Sequence, residues 1–188
     1  MPNRPVHMFA PQGEQEGLQN SVGLLISILV RYPEVGTVKY QPEERTLRFT
    51  FMVSGLVDEE IFERFAARLK ESLLTHAFVG GRRMRVCLLE KTEYNGFTLV
   101  ELHRDVESLS REEISLVSSL LTETFTDRVV KEAQEPLLEE DQLYQEELIE
   151  HMLDDVRQGQ VTKDLIGFRE NGRVFVFDKA DPWSRRRE

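Results

Sequence analysis

Apolar residues recur along this chain at two different periods, and the changes of period mark out the elements. From about Glu14 to Tyr32, Leu18, Val22, Leu25, Ile26, Leu29 and Val30 return at three- and four-residue steps, the spacing of one helix face. Leu24 and Ile28 widen that stripe, so this helix is expected to be buried over much of its circumference. Pro33 stops it, because proline disfavours helical dihedral angles in the residue before it. The period then falls to two. Val38 and Tyr40 alternate with Thr37, Lys39 and Gln41. Beyond the turn at Pro42-Glu43-Glu44, Leu47, Phe49, Phe51 and Val53 alternate with Thr46, Arg48, Thr50 and Met52. This predicts a hairpin with one buried face.

The same succession follows again. Asp58 is placed to cap a second helix whose first turn holds Glu59 and Glu60 and whose apolar face is Ile61, Phe62, Phe65, Ala66, Leu69, Leu73 and Leu74. Gly80-Gly81 breaks the chain before a second hairpin over Arg82 to His103, turning at Asn95-Gly96. A two-residue loop there sets Tyr94 opposite Phe97 and Glu90 opposite Glu101, whereas a four-residue loop sets Glu90 opposite Leu99. Leu88 and Leu89 are both apolar, which points to a central pair covered on both faces.

Ser110-Arg111-Glu112-Glu113 reads as a capping box for a third helix, with Ile114, Val117, Leu120, Leu121 and Phe125 inward and an end near Val130. Pro136 restarts the chain ahead of a fourth helix, about Leu138 to Gln158, with Gly159 as its terminator. Lys163 to Asp178 forms the last hairpin. Its Asn171-Gly172 turn pairs Ile166 with Phe177, Phe168 with Phe175 and Glu170 with Arg173.

The order αββαββααββ predicts an α+β fold with an antiparallel sheet built from three hairpins and about four helices. Its first two units, αββαββ, resemble a circularly permuted ferredoxin-like sandwich, a likeness that carries no function. Residues 1–13, with three prolines, read as a flexible arm; residues 14–131 as the α+β core; residues 132–178 as an acidic helix and hairpin of the same domain; and residues 179–188 as a basic tail.

Charge changes this picture at one place. The chain carries a net charge of −10, and the stretch from Glu132 to Gln160 holds ten acidic residues and one base, Arg157. The acidity therefore belongs to the fourth helix. A pI near 5.0 argues against general affinity for nucleic acid. The single cysteine, Cys87, forms no internal disulfide and suits a reducing compartment. The N-terminus lacks the pattern of a signal peptide, and the longest apolar run, Val22 to Val30, is far short of the roughly 20 residues a membrane span needs. A soluble, cytoplasmic protein outside the membrane is expected.

Candidate chemistry is sparse. On the acidic helix, Tyr144, Leu148, Ile149, Met152, Leu153 and Val156 form an apolar stripe, with Glu147, Glu150, His151, Asp154 and Asp155 opposite. Like charges at that density repel, and a basic partner would relieve them and be steered in by their field. Glu146, Glu147, Glu150, Asp154 and Asp155 are the candidate docking residues. Glu147, His151 and Asp155 share a face, but their spacing matches no zinc or di-iron helix pattern.

Glu90 and Glu101 side by side, with His103, would place like charges where a metal or a shared proton is called for, the setting for acid-base chemistry. Arg82, Arg83 and Arg85 after the double glycine, together with Arg185, Arg186 and Arg187 beside Trp183, are candidates for an anion or RNA. No phosphate-loop, dinucleotide or serine-hydrolase motif is present. Cys87 reads as an inert thiol.

The leading expectation is a non-enzymatic interaction or adaptor protein docking a protein with a basic surface, with no cofactor and with homo-oligomerisation left open. A metal-assisted or acid-base hydrolase using Glu90, Glu101 and His103 is the first alternative. An RNA- or ribosome-associated protein using the arginines is the second.

Overall fold

The computed structural model describes residues 12–133, 135–159 and 161–178. The elements are α1 (Gln12–Arg31), β1 (Val35–Gln41), β2 (Thr46–Ser54), α2 (Glu59–Val79), β3 (Cys87–Tyr94), β4 (Phe97–Asp105), α3 (Arg111–Phe125), α4 (Glu139–Gln158), β5 (Leu165–Glu170) and β6 (Arg173–Asp178), with a short 3-10 turn at Thr126–Arg128. This is the α+β order that the periods imply. All the strands join one antiparallel sheet, β3-β4-β2-β1-β5-β6. The order of the first four is compatible with the permuted ferredoxin-like arrangement. The last hairpin extends it, because β1 pairs with β2 on one side and with β5 on the other.

Strand alternation decides which face is covered. Leu47, Phe49, Phe51 and Val53 of β2 point the same way as Val100 and Leu102 of β4, and they pack with the buried leucines, isoleucines and phenylalanines of all four helices in one core. The intervening side chains, among them Thr50, Met52, Leu99, Glu101, Ile166 and Phe168, point the other way, and none belongs to that core. The helices therefore lie on one face of the sheet. Among the described residues the other face is uncovered.

Both Asn-Gly turns take the two-residue form. Asn95 and Gly96 have φ of 49° and 80°, and Asn171 and Gly172 have φ of 51° and 73°, the left-handed pair that matches strand twist. Tyr94 consequently opposes Phe97, and Glu90 opposes Glu101. In the last hairpin Ile166 faces Phe177, Phe168 faces Phe175 and Glu170 faces Arg173.

Four local expectations need correction. The second hairpin is not covered on both faces: β3 is an edge strand, and Leu88 is 47% exposed. Leu89 turns inward and Leu88 outward, so two adjacent leucines here mark an edge rather than a centre. β3 begins at Cys87, not Arg82. Residues 82–86 form a lead-in whose Arg85 and Val86 amides donate to the Asp105 carboxylate at 3.0 and 2.8 Å. α3 ends at Phe125 rather than near Val130, where Thr126 takes a positive φ of 48°. Asp58 precedes α2 but makes no side-chain cap bond. The flexible arm and the basic tail, with Trp183 and Arg185 to Arg187, lie outside the described residues apart from Gln12 and Gly13, which open α1.

α1 and α4 approach closely. A Cβ on Gly23 of α1 would lie 2.7 Å from Met152 Cε on α4. Beneath them Gly167 of β5 lets α1 settle on the sheet, since a Cβ there would stand 3.0 Å from Leu29 Cδ1. Arg169 of β5 then donates to the Leu29 carbonyl near the end of α1 and to the Pro33 carbonyl at 3.2 Å, satisfying groups a helix terminus leaves open. Among the described residues no helix is long and apolar enough to cross a membrane.

Candidate functional site

α4 is helical because its apolar residues fall on one side of a 20-residue run of good helix formers. Ile149, Leu153 and Val156 are fully buried and seat it against α1. The expected stripe is shorter than its sequence suggests: Leu148 and Met152 are half-buried, and Tyr144 turns outward.

The candidate docking acids divide into two groups. Glu146 is half-buried against α1, 2.6 Å from Arg31 Nη2. Glu150 lies 3.7 Å from Arg111, Asp154 pairs with Arg157, and Asp155 is 3.5 Å from His151. Arg157 also donates to the Val106 and Leu109 carbonyls, so the second half of α4 is tied to the rest of the fold. The first half is different. Glu139, Glu140, Asp141 and Glu147 are exposed and make no ion pair among the described residues. Between them Leu143 is 56% and Tyr144 59% exposed. Glu140, Leu143, Tyr144 and Glu147 follow the spacing i, i+3, i+4, i+7 and therefore share one outward face. A cleft of about 460 Å³ opens beside the start of this helix, lined by Arg31, Pro33, Pro136 and Leu137 among others.

On the uncovered sheet face, the register brings Glu90, Glu101 and His103 together, with one ligating atom of each within 4.8 Å of the others. His103 Nε2 lies 3.5 Å from Glu90 Oε2 and is buried without a hydrogen-bond partner. Glu101 accepts from the Thr50 hydroxyl at 3.3 Å. Burial, and then the Arg48 charge on β2, push the imidazole below its ordinary pKa, while Glu90 and Glu101 push back. The shift favours the neutral ring.

The three arginines near the double glycine differ in exposure. Arg82 is half-buried, with Nη2 3.1 Å from His76 Nε2, while Arg83 and Arg85 are exposed. Cys87 borders a shallow groove of about 220 Å³ between α2 and β3, and burial pushes its thiol up, away from the reactive thiolate.

Sequence reasoning missed one cluster. Arg104 of β4 is wholly buried on the helix-covered face. It pairs with Glu113 at 2.8 Å and Asp105 at 2.7 Å, and donates to the Val86 carbonyl and the Ser108 hydroxyl. The capping box is thus only half formed. Ser110 accepts from the Glu113 amide, but the Glu113 carboxylate turns to Arg104. A signal was present: the Asn95-Gly96 register puts Arg104 on the same face as Val100 and Leu102.

Burial works to raise the Asp105 carboxyl. Hydrogen bonds from the Ser108 hydroxyl and the Val86 and Arg85 amides, with the Arg104 charge, bring it instead to about 2. A depressed carboxyl contributes stability above its unfolded pKa and loses it as pH falls through the folded value. Stability is therefore expected to fall between about pH 4 and pH 2, and Asp105→Asn to flatten that part of the profile. Urea midpoints measured across that range check this, and an unchanged profile in the variant refutes it.

No protein-family model, no curated protein and no solved structure matches this chain.

Proposed function

We propose that this protein is a non-enzymatic interaction module that docks a basic, amphipathic protein segment on the first half of α4. One observation carries the reading: Glu140, Leu143, Tyr144 and Glu147 share an outward face, apolar at its centre and acidic at its ends, with no ion pair among the described residues. Exposed aromatic and aliphatic anchors supply most of the energy in such contacts, and the flanking charges supply on-rate and selectivity. A helix or loop with Lys or Arg around an apolar stripe is the complementary shape. The second half of α4 holds the module to its own fold, so docking and folding use different turns of one helix.

The experiment places a photo-crosslinking phenylalanine derivative at Tyr144 in cells, with the same probe at exposed Glu71 as control. A partner captured from position 144 alone, and lost in Glu140→Lys/Glu147→Lys, is the expected result. The variant is expected to keep its unfolding temperature, because both side chains are solvent-exposed. Identical capture from both positions, or capture indifferent to charge reversal, refutes the reading. Affinity for the isolated partner is expected to drop severalfold between 50 and 300 mM salt, with exposed charges screened beyond about 10 Å at 0.1 M.

A further inference from the structure

We infer that Glu90, Glu101 and His103 form a three-ligand site for a divalent transition cation, Zn2+ above the others, on the uncovered face of the sheet. The inference rests on residues that the docking surface does not use. Two glutamates stand directly opposite each other on β3 and β4, a pairing that destabilises a sheet unless something sits between the charges. His103 Nε2 is buried, has no hydrogen-bond partner among the described residues and lies 3.5 Å from Glu90 Oε2. A buried ring nitrogen with no partner is an unmet requirement, and a metal ion meets it together with the carboxylate repulsion.

The dimensions fit. Zn–N and Zn–O bonds of roughly 2.0–2.2 Å put tetrahedral ligands about 3.4 Å apart. The ligating atoms here already lie within 4.8 Å, so rotamer changes in two exposed or half-exposed glutamates close the remainder. The Thr50 hydroxyl at 3.3 Å holds Glu101 from the neighbouring strand, as outer groups do around metal ligands. Arg48 lies across from His103 and opposes a cation. Two carboxylates against one guanidinium still leave the spot net negative. One imidazole and two carboxylates suit Zn2+ better than Ca2+, which prefers an all-oxygen shell of six to eight ligands. Three protein ligands leave the fourth position to water.

Isothermal titration of the metal-free full chain with ZnCl2 tests this. One equivalent per chain is expected, with His103→Gln and Glu101→Gln each weakening binding at least about tenfold, as first ligands should exceed outer-shell effects. Glu101→Gln is also expected to hold or raise the unfolding temperature of the metal-free chain, because it removes a like-charge neighbour. A merely structural Glu101 would lower it and leave Zn2+ affinity alone. His151→Gln on α4 controls for the other histidine–carboxylate pair. Absence of a binding heat, wild-type affinity in His103→Gln, or loss of binding only in His151→Gln overturns the inference.

Discussion

Arg104→Met is expected to cost about 3–5 kcal/mol, the range for removing one partner of a buried ion pair. For a domain of this size that is a fall of roughly 6–20 °C in unfolding temperature. The reason lies in what stays behind. Glu113 is fully buried and has Arg104 as its ion-pair partner, and Asp105 is nearly so. The Val86 carbonyl and the Ser108 hydroxyl also lose a donor.

The loss has a pH signature. Burial already pushes Glu113 upward, with Arg104 pulling it back. Without the guanidinium the carboxyl rises further, and a raised carboxyl contributes stability below its unfolded pKa that disappears as pH rises through the folded one. The variant should therefore be closer to wild type at pH 4.5 than at pH 7. Arg104→Met/Glu113→Leu should recover part of the loss, since it removes the stranded charge as well. Urea unfolding at the two pH values measures all of this. A penalty under 1 kcal/mol at pH 7 would mean that water reaches the cluster.

Leu153→Ala should cost about 2–5 kcal/mol, as expected for a fully buried leucine truncated between helices. Where the loss appears matters more than its size. Leu153 belongs to α4, and α1 below it rests on Gly167 of β5. If the acidic helix and last hairpin share one cooperative unit with the rest, amides in β4 and α2 lose hydrogen-exchange protection together with those of α4 and β5. Loss confined to α4, β5 and β6 would show a separately unfolding subunit.

Much of the fold could be read from period and turn chemistry. Phe49 to Val53 alternate cleanly, and the two Asn-Gly pairs pointed to two-residue hairpin loops. The Asn95-Gly96 turn left Glu90 opposite either Glu101 or Leu99, and the two-residue form found in the structure selects Glu101. What escaped the sequence was long-range. Nothing local shows that β1 takes β5 as its second neighbour, and this leaves β3 at an edge. The acidic residues of α4 looked alike until tertiary partners separated them, Glu146 drawn to Arg31 and Glu147 without an ion pair among the described residues. Arg104 was hidden for the opposite reason: a lone charged residue at the end of a strand reads as solvated unless its face is known.

The other sheet edge carries a different burden. Among the described residues β6 pairs with β5 alone, and its outer row of backbone groups borders Val174, Phe175, Val176 and Phe177. A short, uncharged, β-branched and aromatic segment on an open edge is the composition that templates strand addition between molecules. Arg173 and Asp178 bracket it at either end, and Phe168, Phe175 and Phe177 stack on one another with centroids 5.7 to 6.3 Å apart. Charges flanking such a segment oppose cross-β growth, so neutralising Arg173 and Asp178 is expected to raise aggregation.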